Sequence, residues 1–276
     1  MAMNSVNTNV GAMIALQNLQ VTNSELTQVQ NRINTGKKVS SAKDNGAVWA
    51  IAQGQRAEIG ALNAVKDSLQ RGQSAVDVSL AAGESVSDLL TQLKEKALSA
   101  TDTSLTSSAR SALNEDFKSI RDQIATVVSN ASFNGVNLLD GSSTGGFAAL
   151  ANVSGSTITV ASEDMSLSGS VVTLGASDVI DTASAAAASL ALVSASIDNV
   201  GASLAKLGTG SNSLGTHLTF VGKLQDTLEA GVGNLVDADL AKESARLQAL
   251  QTKQQLGVQA LSIANSSTSI LLGLFR

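Results

Sequence analysis

Apolar residues recur at alternating steps of three and four over very long stretches of this chain. Between Leu190 and Leu235, twelve of the fourteen positions in this pattern are apolar, and a second run from Leu62 to Ala97 has eight of eleven. This spacing is that of one face of an α-helix. At 1.5 Å per residue, the stretch from Leu190 to Leu235 would form a helix of about 69 Å. The pattern therefore predicts long helices that pack side by side.

The composition agrees with uninterrupted helices. The chain has no Pro in 276 residues and only five Phe and one Trp, so the commonest helix breaker is absent and the core must be built from Ala, Leu, Val and Ile. A third run, from Leu113 to Val127, adds a shorter helix. Helices with such stripes pack as an antiparallel, coiled-coil-like bundle. The predicted fold class is therefore mainly α.

Shorter apolar stripes lie at both ends of the chain. Thr35-Gly36 is a glycine helix stop, and Ser41 with Asp44 resembles a capping box that would start the next helix. Near the other end, residues 231–234 are glycine-rich and interrupt the stripe, and Asp237 is a candidate N-cap. These signals predict paired terminal helices, residues 1–40 and 235–276, that flank a central rod of residues 41–234.

The stretch from residue 131 to residue 180 differs from the rest. Asn134-Gly135 and Asp140-Gly141 are turn dipeptides, and residues 157–160 and 171–174 are short β-branched runs typical of strands. We expect one or two small β-hairpins at about 131–180.

The composition also argues against most catalytic and binding functions. The chain has no Cys, one His and a formal net charge of −5, which excludes cysteine chemistry and multi-histidine metal sites and disfavours nucleic acid. No uninterrupted apolar run reaches the length of a membrane span. His217 is better explained as a residue flanking a helix stripe than as a catalytic base, and Asp237 and Asp239 as helix-capping residues than as metal ligands. The sequence predicts no enzyme, no catalytic residue, no cofactor, no metal, and no nucleic-acid or membrane partner.

The two terminal stripes have no obvious partner in the central bundle. A chain that runs up one helix and down others brings its ends together, and isolated amphipathic helices are only marginally stable. Unpartnered stripes at both ends therefore indicate a subunit that assembles with copies of itself.

Several motifs resemble those of bacterial flagellins. The amino-terminal block is similar in residues 5–9, in Asn18-Leu19, in residues 32–36 and in residues 41–44. The segment Phe133-Asn-Gly-Val-Asn-Leu-Leu139 and the carboxy-terminal motifs Asp237-Ala-Asp239, Gln254-Gln255 and 271–276 are also similar. The resemblance covers nearly the whole chain and is greatest to the short alphaproteobacterial flagellins of the Caulobacter type.

The resemblance implies a structural subunit that self-assembles helically into the flagellar filament for swimming. It implies that residues 1–40 and 235–276 form the inner tube and that residues 41–234 form the outer tube. It also implies that the outer domains of larger flagellins are absent, since this chain has only residues 141–180 where those domains are inserted. A hook–filament junction protein, whose ends resemble flagellin ends, is the alternative. The assembly interface expected from the terminal stripes comprises Leu19, Leu26, Val29, Ile33, Leu247, Leu250, Leu261, Leu271, Leu272, Leu274 and Phe275.

The resemblance also implies partners and a location. The partners are other flagellin subunits, including paralogues, the flagellar type III export apparatus with a secretion chaperone, and the hook-associated and cap proteins. The location is the extracellular filament, reached without a Sec signal peptide, since the amino terminus lacks the charged and apolar regions of such a signal.

Overall fold

A computed structural model of the chain describes residues 8–273, with side chains up to residue 266. Long helices dominate this part of the chain: α1 (Val10–Thr35), α2 (Gly46–Ala100), α3 (Ser107–Asn130), α4 (Ala183–Val236) and α5 (Leu240–Gly273). Two antiparallel hairpins lie between α3 and α4, namely β1 (Ser132–Phe133) with β2 (Val136–Asn137) and β3 (Phe147–Leu150) with β4 (Thr157–Val160). The predicted fold class is confirmed.

The chain divides into two compact units. One comprises Met1–Ala57 with Thr227–Arg276, and the other comprises Glu58–Asp226. We call them the terminal unit and the central unit. The first contains α1, α5 and the adjoining ends of α2 and α4; the second contains the remainder of α2 and α4 together with α3 and the hairpins.

In the central unit, α2 and α4 run antiparallel. Gln225 donates a hydrogen bond to Asn63 at 2.9 Å, and Ser211 donates to Asp77 at 3.3 Å, so residue numbers fall on one helix as they rise on the other. The predicted stripes supply most of the buried apolar side chains of this pair, including Leu69, Leu90, Leu207 and Leu214. The core is therefore a long seam rather than a globular centre.

Glycines let the second hairpin lie directly on the helices. A Cβ on Gly72 of α2 would stand 2.8 Å from the Phe147 ring, and one on Gly210 of α4 would stand 2.8 Å from Val160. His217 Nε2 lies 2.6 Å from the Ala151 carbonyl oxygen and holds the hairpin from the α4 side.

One predicted strand is absent. Residues 171–174 are irregular, although Val172 and Leu174 are fully buried. The backbone N–H of Thr173 donates to the Ser196 hydroxyl at 3.1 Å, and the Val171 carbonyl accepts from Asn199 at 3.2 Å. Side chains of α4 thus take the hydrogen bonds that a neighbouring strand would have made.

Three predicted helix boundaries are wrong. α2 begins at Gly46 rather than at Ser41. Asn45 caps it, because Asn45 Oδ1 accepts a hydrogen bond from the Val48 N–H at 3.2 Å. α4 continues as a helix through residues 231–234 to Val236. Asp239, not Asp237, caps α5, and its Oδ1 accepts from the N–H groups of residues 241 and 242 at 3.0 and 3.1 Å.

Among residues 8–273, α4 alone is long and apolar enough, by length and composition, to cross a membrane. It contains no uninterrupted apolar run of that length, because Ser, Gly and Thr are spread among its Ala, Leu and Val residues. The core helix of a soluble protein meets the same criterion, and in the central unit α4 pairs with α2.

Candidate assembly surface

The helices α1 and α5 form an antiparallel pair in the terminal unit. Asn9 Nδ2 donates to the Ala264 carbonyl at 2.7 Å, Gln254 Nε2 donates to Asn23 Oδ1 at 2.7 Å, and Arg32 Nη1 donates to Glu243 Oε1 at 3.1 Å. These polar contacts are spread from one end of the pair to the other. The prediction of paired terminal helices is therefore confirmed for α1 and α5.

The face by which α1 meets α5 follows a heptad pattern. The buried and half-buried positions of α5 from Glu243 to Ala264 alternate in steps of three and four, and those of α1 from Ala12 to Ile33 contain the same alternation with Glu25 and Arg32 beside it. This is the seam geometry of a two-helix coiled coil. Only Thr22 and Val29 of α1 are fully buried, so the seam is thin.

Seven residues of the predicted assembly interface lie in this seam. Val29 and Leu250 are buried, and the other five are half-buried: Leu19, Leu26, Ile33, Leu247 and Leu261. Their partner is the other helix of the same chain. The side chains of Leu271 and Leu272, and the whole of Leu274 and Phe275, lie outside the described residues.

A second set of apolar residues on α1 and α5 points away from the seam. Met13 is 62% exposed and Ile263 is 64% exposed, in helices whose other outward residues are mostly Asn, Gln, Ser and Thr. We call this set the assembly face; it comprises Val10, Met13, Ile14, Leu16, Val21, Leu240, Leu256, Val258 and Ile263. Sequence reasoning did not select it, and its only signal is that its members fall between the heptad positions.

A groove of about 570 Å³ runs along the pair beside this face. Its floor is made of small residues, including Gly11, Ala15, Gly257 and Ala260, and Ile14 and Leu256 line its sides. Exposed apolar surface of this kind is typical of sites at which proteins bind one another.

The connections at the base of the pair are joined to each other. The Lys38 N–H donates to the Val236 carbonyl at 2.6 Å, and the Ala238 N–H donates to the Gly36 carbonyl at 2.9 Å. Lys37 and Asp237 are partners in an antiparallel bridge. Asp237 therefore has a backbone role here rather than a capping or metal-binding role.

The loop before α2 is organised around Asp44. Its Oδ2 accepts from the Ser40 hydroxyl at 2.8 Å and from the backbone N–H groups of Ser40 and Ser41 at 3.0 Å each. These hydrogen bonds, led by the Ser40 hydroxyl, lower the pKa of the Asp44 carboxyl below its ordinary value of 3.8. The predicted Ser41–Asp44 contact exists, but it shapes the loop instead of starting the helix.

His217, which was considered above as a catalytic base, packs against the second hairpin. His217 is half-buried, its Nε2 lies against the Ala151 carbonyl, and its ring centroid is 5.7 Å from that of Phe220. Across residues 8–273, no group of three or more His, Asp or Glu side chains could hold a metal ion.

A helix pair with exposed apolar side chains is typical of proteins that associate through those side chains. Comparison with protein families agrees: residues 6–144 match the bacterial flagellin N-terminal helical region, and residues 190–275 match the bacterial flagellin C-terminal helical region. The chain belongs to the bacterial flagellin family. It is a structural subunit of the flagellar filament and not an enzyme.

Individual relatives agree over the full length. The chain is 60% identical to flagellin FljM and 61% identical to flagellin FljN of Caulobacter vibrioides, each over 276 residues and 100% of both chains. A flagellar hook-associated protein from Vibrio parahaemolyticus matches 70% of this chain and 100% of its own at a TM-score of 0.56 and 17% identity. That likeness shows a shared fold only, and nothing favours the hook–filament junction alternative over a filament subunit.

Proposed function

We propose that the α1–α5 pair lines the inner tube of the filament and that the assembly face is where it contacts neighbouring subunits. The observation that carries this proposal is the apolar exposure on two paired helices: Met13, Ile14, Leu256 and Ile263 are each more than half exposed. Contact with another subunit would remove these side chains from water, which stabilises a polymer in proportion to the area buried.

The predicted interface takes a different role in this proposal. Leu19, Leu26, Val29, Ile33, Leu247, Leu250 and Leu261 hold α1 against α5 and so build the surface that assembles. Leu271, Leu272, Leu274 and Phe275 add apolar side chains close to the end of α5 and are proposed to contact neighbouring subunits directly.

The rod of residues 41–234 is proposed to form the outer tube. Its exposed large apolar residues are few, namely Ile51, Leu98, Val153 and Phe220. Outer-tube contacts are therefore proposed to be mainly polar, and the inner tube to supply most of the apolar stabilisation. The short hairpin segment leaves this chain without large outer domains.

The experiment that tests the inner-tube proposal is polymerisation of a Met13→Gln, Ile263→Gln double variant. Both side chains are exposed in the single chain, so its unfolding should barely change. A loss of about 1.4 kcal/mol per subunit raises the critical concentration about tenfold, and two such side chains exceed that when buried. The matched control is Leu98→Gln, because Leu98 is 58% exposed but lies in the central unit. An equal effect of the control and the double variant on critical concentration would contradict the proposal.

The chain is further proposed to leave the cell through the flagellar type III export apparatus, aided by a chaperone, and to assemble outside. There it would contact hook-associated and cap proteins and paralogous flagellins. Membership of the flagellin family supports these partners. Mass spectrometry of shed filaments tests the route: a peptide that still contains residues 6–10 is expected, and cleavage within that region would contradict export without a Sec signal.

A further inference from the structure

We infer that Glu25, Arg32 and Glu243 select the register in which α1 pairs with α5. The inference concerns pairing within one chain and goes beyond the filament role. It starts from the contact between Arg32 Nη1 and Glu243 Oε1 at 3.1 Å, in which the side chains are only 22% and 11% exposed. The pair lies one helical turn from the joined connections at Gly36 and Ala238.

The heptad spacing alone does not specify this register. The seam of α1 repeats every seven residues, with Leu19 and Leu26 in equivalent positions. In α5, Leu250 and Gly257 likewise occupy equivalent positions, seven residues apart. A shift of α5 along α1 by one heptad, about 10.5 Å, would keep the same faces together. Such slips are the characteristic alternative states of heptad sequences.

The charges, in contrast, distinguish the registers. α1 contains two charged residues, Glu25 and Arg32, and these stand one heptad apart at equivalent positions of the helix. α5 contains a single acid, Glu243. In the observed register Glu243 meets Arg32. A slip of one heptad in one direction would place Glu243 opposite Glu25, and a slip in the other direction would place Arg32 opposite Leu250. The first alternative pairs two acids, and the second sets a charge against an apolar residue.

The state of the Glu243 carboxylate supports a role in specificity rather than stability. Within the described part of the chain, its Oε2 is buried and accepts no hydrogen bond. A half-satisfied buried carboxylate is a poor way to stabilise a helix pair, whereas fixing register is the best-attested use of buried ionic groups. Attraction in one register combined with repulsion in its neighbour is how coiled coils choose partners and alignment.

Exchanging the two α1 charges tests this inference without changing the composition of the chain. The Glu25→Arg, Arg32→Glu variant places an acid opposite Glu243 in the observed register and a base opposite it after the slip. The chain has no Cys, so Leu16→Cys, Asn23→Cys and Gln254→Cys can be introduced together as the only thiols. The thiol at position 254 then reports the register by its choice of partner, because residues 16 and 23 lie about 10.5 Å apart along α1, beyond the reach of one disulfide.

In the otherwise unchanged chain, mild oxidation should join residue 254 to residue 23. The charge exchange should shift the ratio of the 23–254 to the 16–254 disulfide at least about tenfold toward 16–254, the change that 1.4 kcal/mol produces. Adding Glu243→Arg restores attraction in the observed register and should restore the 23–254 disulfide. Disulfides within one chain are read on the denatured single-chain species by peptide mapping, so the result does not depend on whether filaments form.

Two results would overturn the inference. One is an unchanged disulfide ratio in the charge-exchanged variant. The other is loss of both disulfides in that variant without recovery when Glu243→Arg is added. Loss of both with recovery supports it, because the same three charges then decide whether the helices pair at all.

Discussion

Val160 fits into the surface of α4 at the one place where Gly210 leaves room for it. A Cβ on Gly210 would stand 2.8 Å from Val160 Cγ1 and 3.0 Å from Cγ2. Val160 is 5% exposed, and its branched side chain has little rotamer freedom with which to move aside. The seating of the second hairpin on the central unit therefore depends on the absence of a side chain.

Gly210→Ala is expected to lower the free energy of unfolding of the central unit by about 1–3 kcal/mol, the usual cost of overpacking. Gly208→Ala, two positions away on the same helix, has no atom within 4 Å of the added Cβ and should raise it by about 0.5–1 kcal/mol through helix propensity. Thermal unfolding followed by circular dichroism measures both. Equal shifts in the same direction would contradict the fit described for Val160.

The thin seam predicts that the terminal helices open more easily than the central unit. Regions with few buried apolar side chains open locally at low free energy, and α1 has only Thr22 and Val29 fully buried. Limited proteolysis of the unpolymerised protein should therefore remove α1 and α5, about 40 residues from each end, before it cuts residues 58–226.

Leu250→Ala should accelerate that trimming, since Leu250 is 5% exposed in the seam and its truncation removes packing between α1 and α5. Leu256→Ala is the control, because Leu256 is 61% exposed. Equal resistance of the ends and the centre to protease would show that the seam is stronger than its burial indicates.

Deleting residues 270–276 is expected to prevent polymerisation and to spare the central unit. The segment carries Ile270, Leu271, Leu272, Leu274 and Phe275, and fully burying such side chains contributes roughly 1.5–3 kcal/mol each. Sedimentation after seeding should show a critical concentration raised by orders of magnitude, whereas melting of the central unit should not move. Normal filaments from the deleted chain would exclude this segment from the assembly contacts.

The lowered pKa of Asp44 predicts that the stability of the folded chain falls at acidic pH. Its pKa in the folded chain is lowered below 3.8, so the charged carboxylate is favoured by folding. The resulting stability is fully present above the unfolded pKa of about 3.9 and is lost as the pH falls through the lower folded value. Asp44→Asn should therefore unfold with a shallower dependence on pH below about 4, because its amide oxygen can still accept from Ser40 and Ser41 but carries no titratable charge. Superimposable acid-unfolding curves for the two proteins would contradict this cause of the shift.

The periodicity of the sequence predicted the helices, because a heptad stripe can only be buried by packing along its length. It did not predict which neighbouring stripe would be innermost. In α4, Ser189, Ser196 and Ser203 are buried while Leu190 and Leu204 are half-buried. Ser196 donates to the Leu192 carbonyl at 2.8 Å and Ser203 donates to Glu163 at 2.8 Å, and such satisfied hydroxyl groups can be buried without penalty.

The assembly residues show the same limit. Met13 and Leu16 precede Leu19 at three-residue steps and so share the spacing of an apolar stripe, but Ala12 and Ala15 occupy the inner positions and Met13 and Leu16 are exposed. Small residues at the inner positions let the two helices approach closely. A pattern based on large apolar residues does not detect such positions. The prediction that Asp237 caps α5 was wrong for a related reason. Asp237 and Asp239 are equally good capping residues by type, and the backbone bridge between Asp237 and Lys37 leaves Asp239 as the cap.

The pairing of α1 with α5 also affects the order in which the chain folds. Arg32 and Glu243 are 211 positions apart, and Asn9 and Ala264 are 255 apart. Contacts between such distant segments require the closure of a very long loop and form late in folding. A nascent chain that has not yet received its α5 has no inner partner for α1 and cannot build the composite outer surface. On the role proposed for that surface, a chain truncated before α5 would be excluded from the polymer.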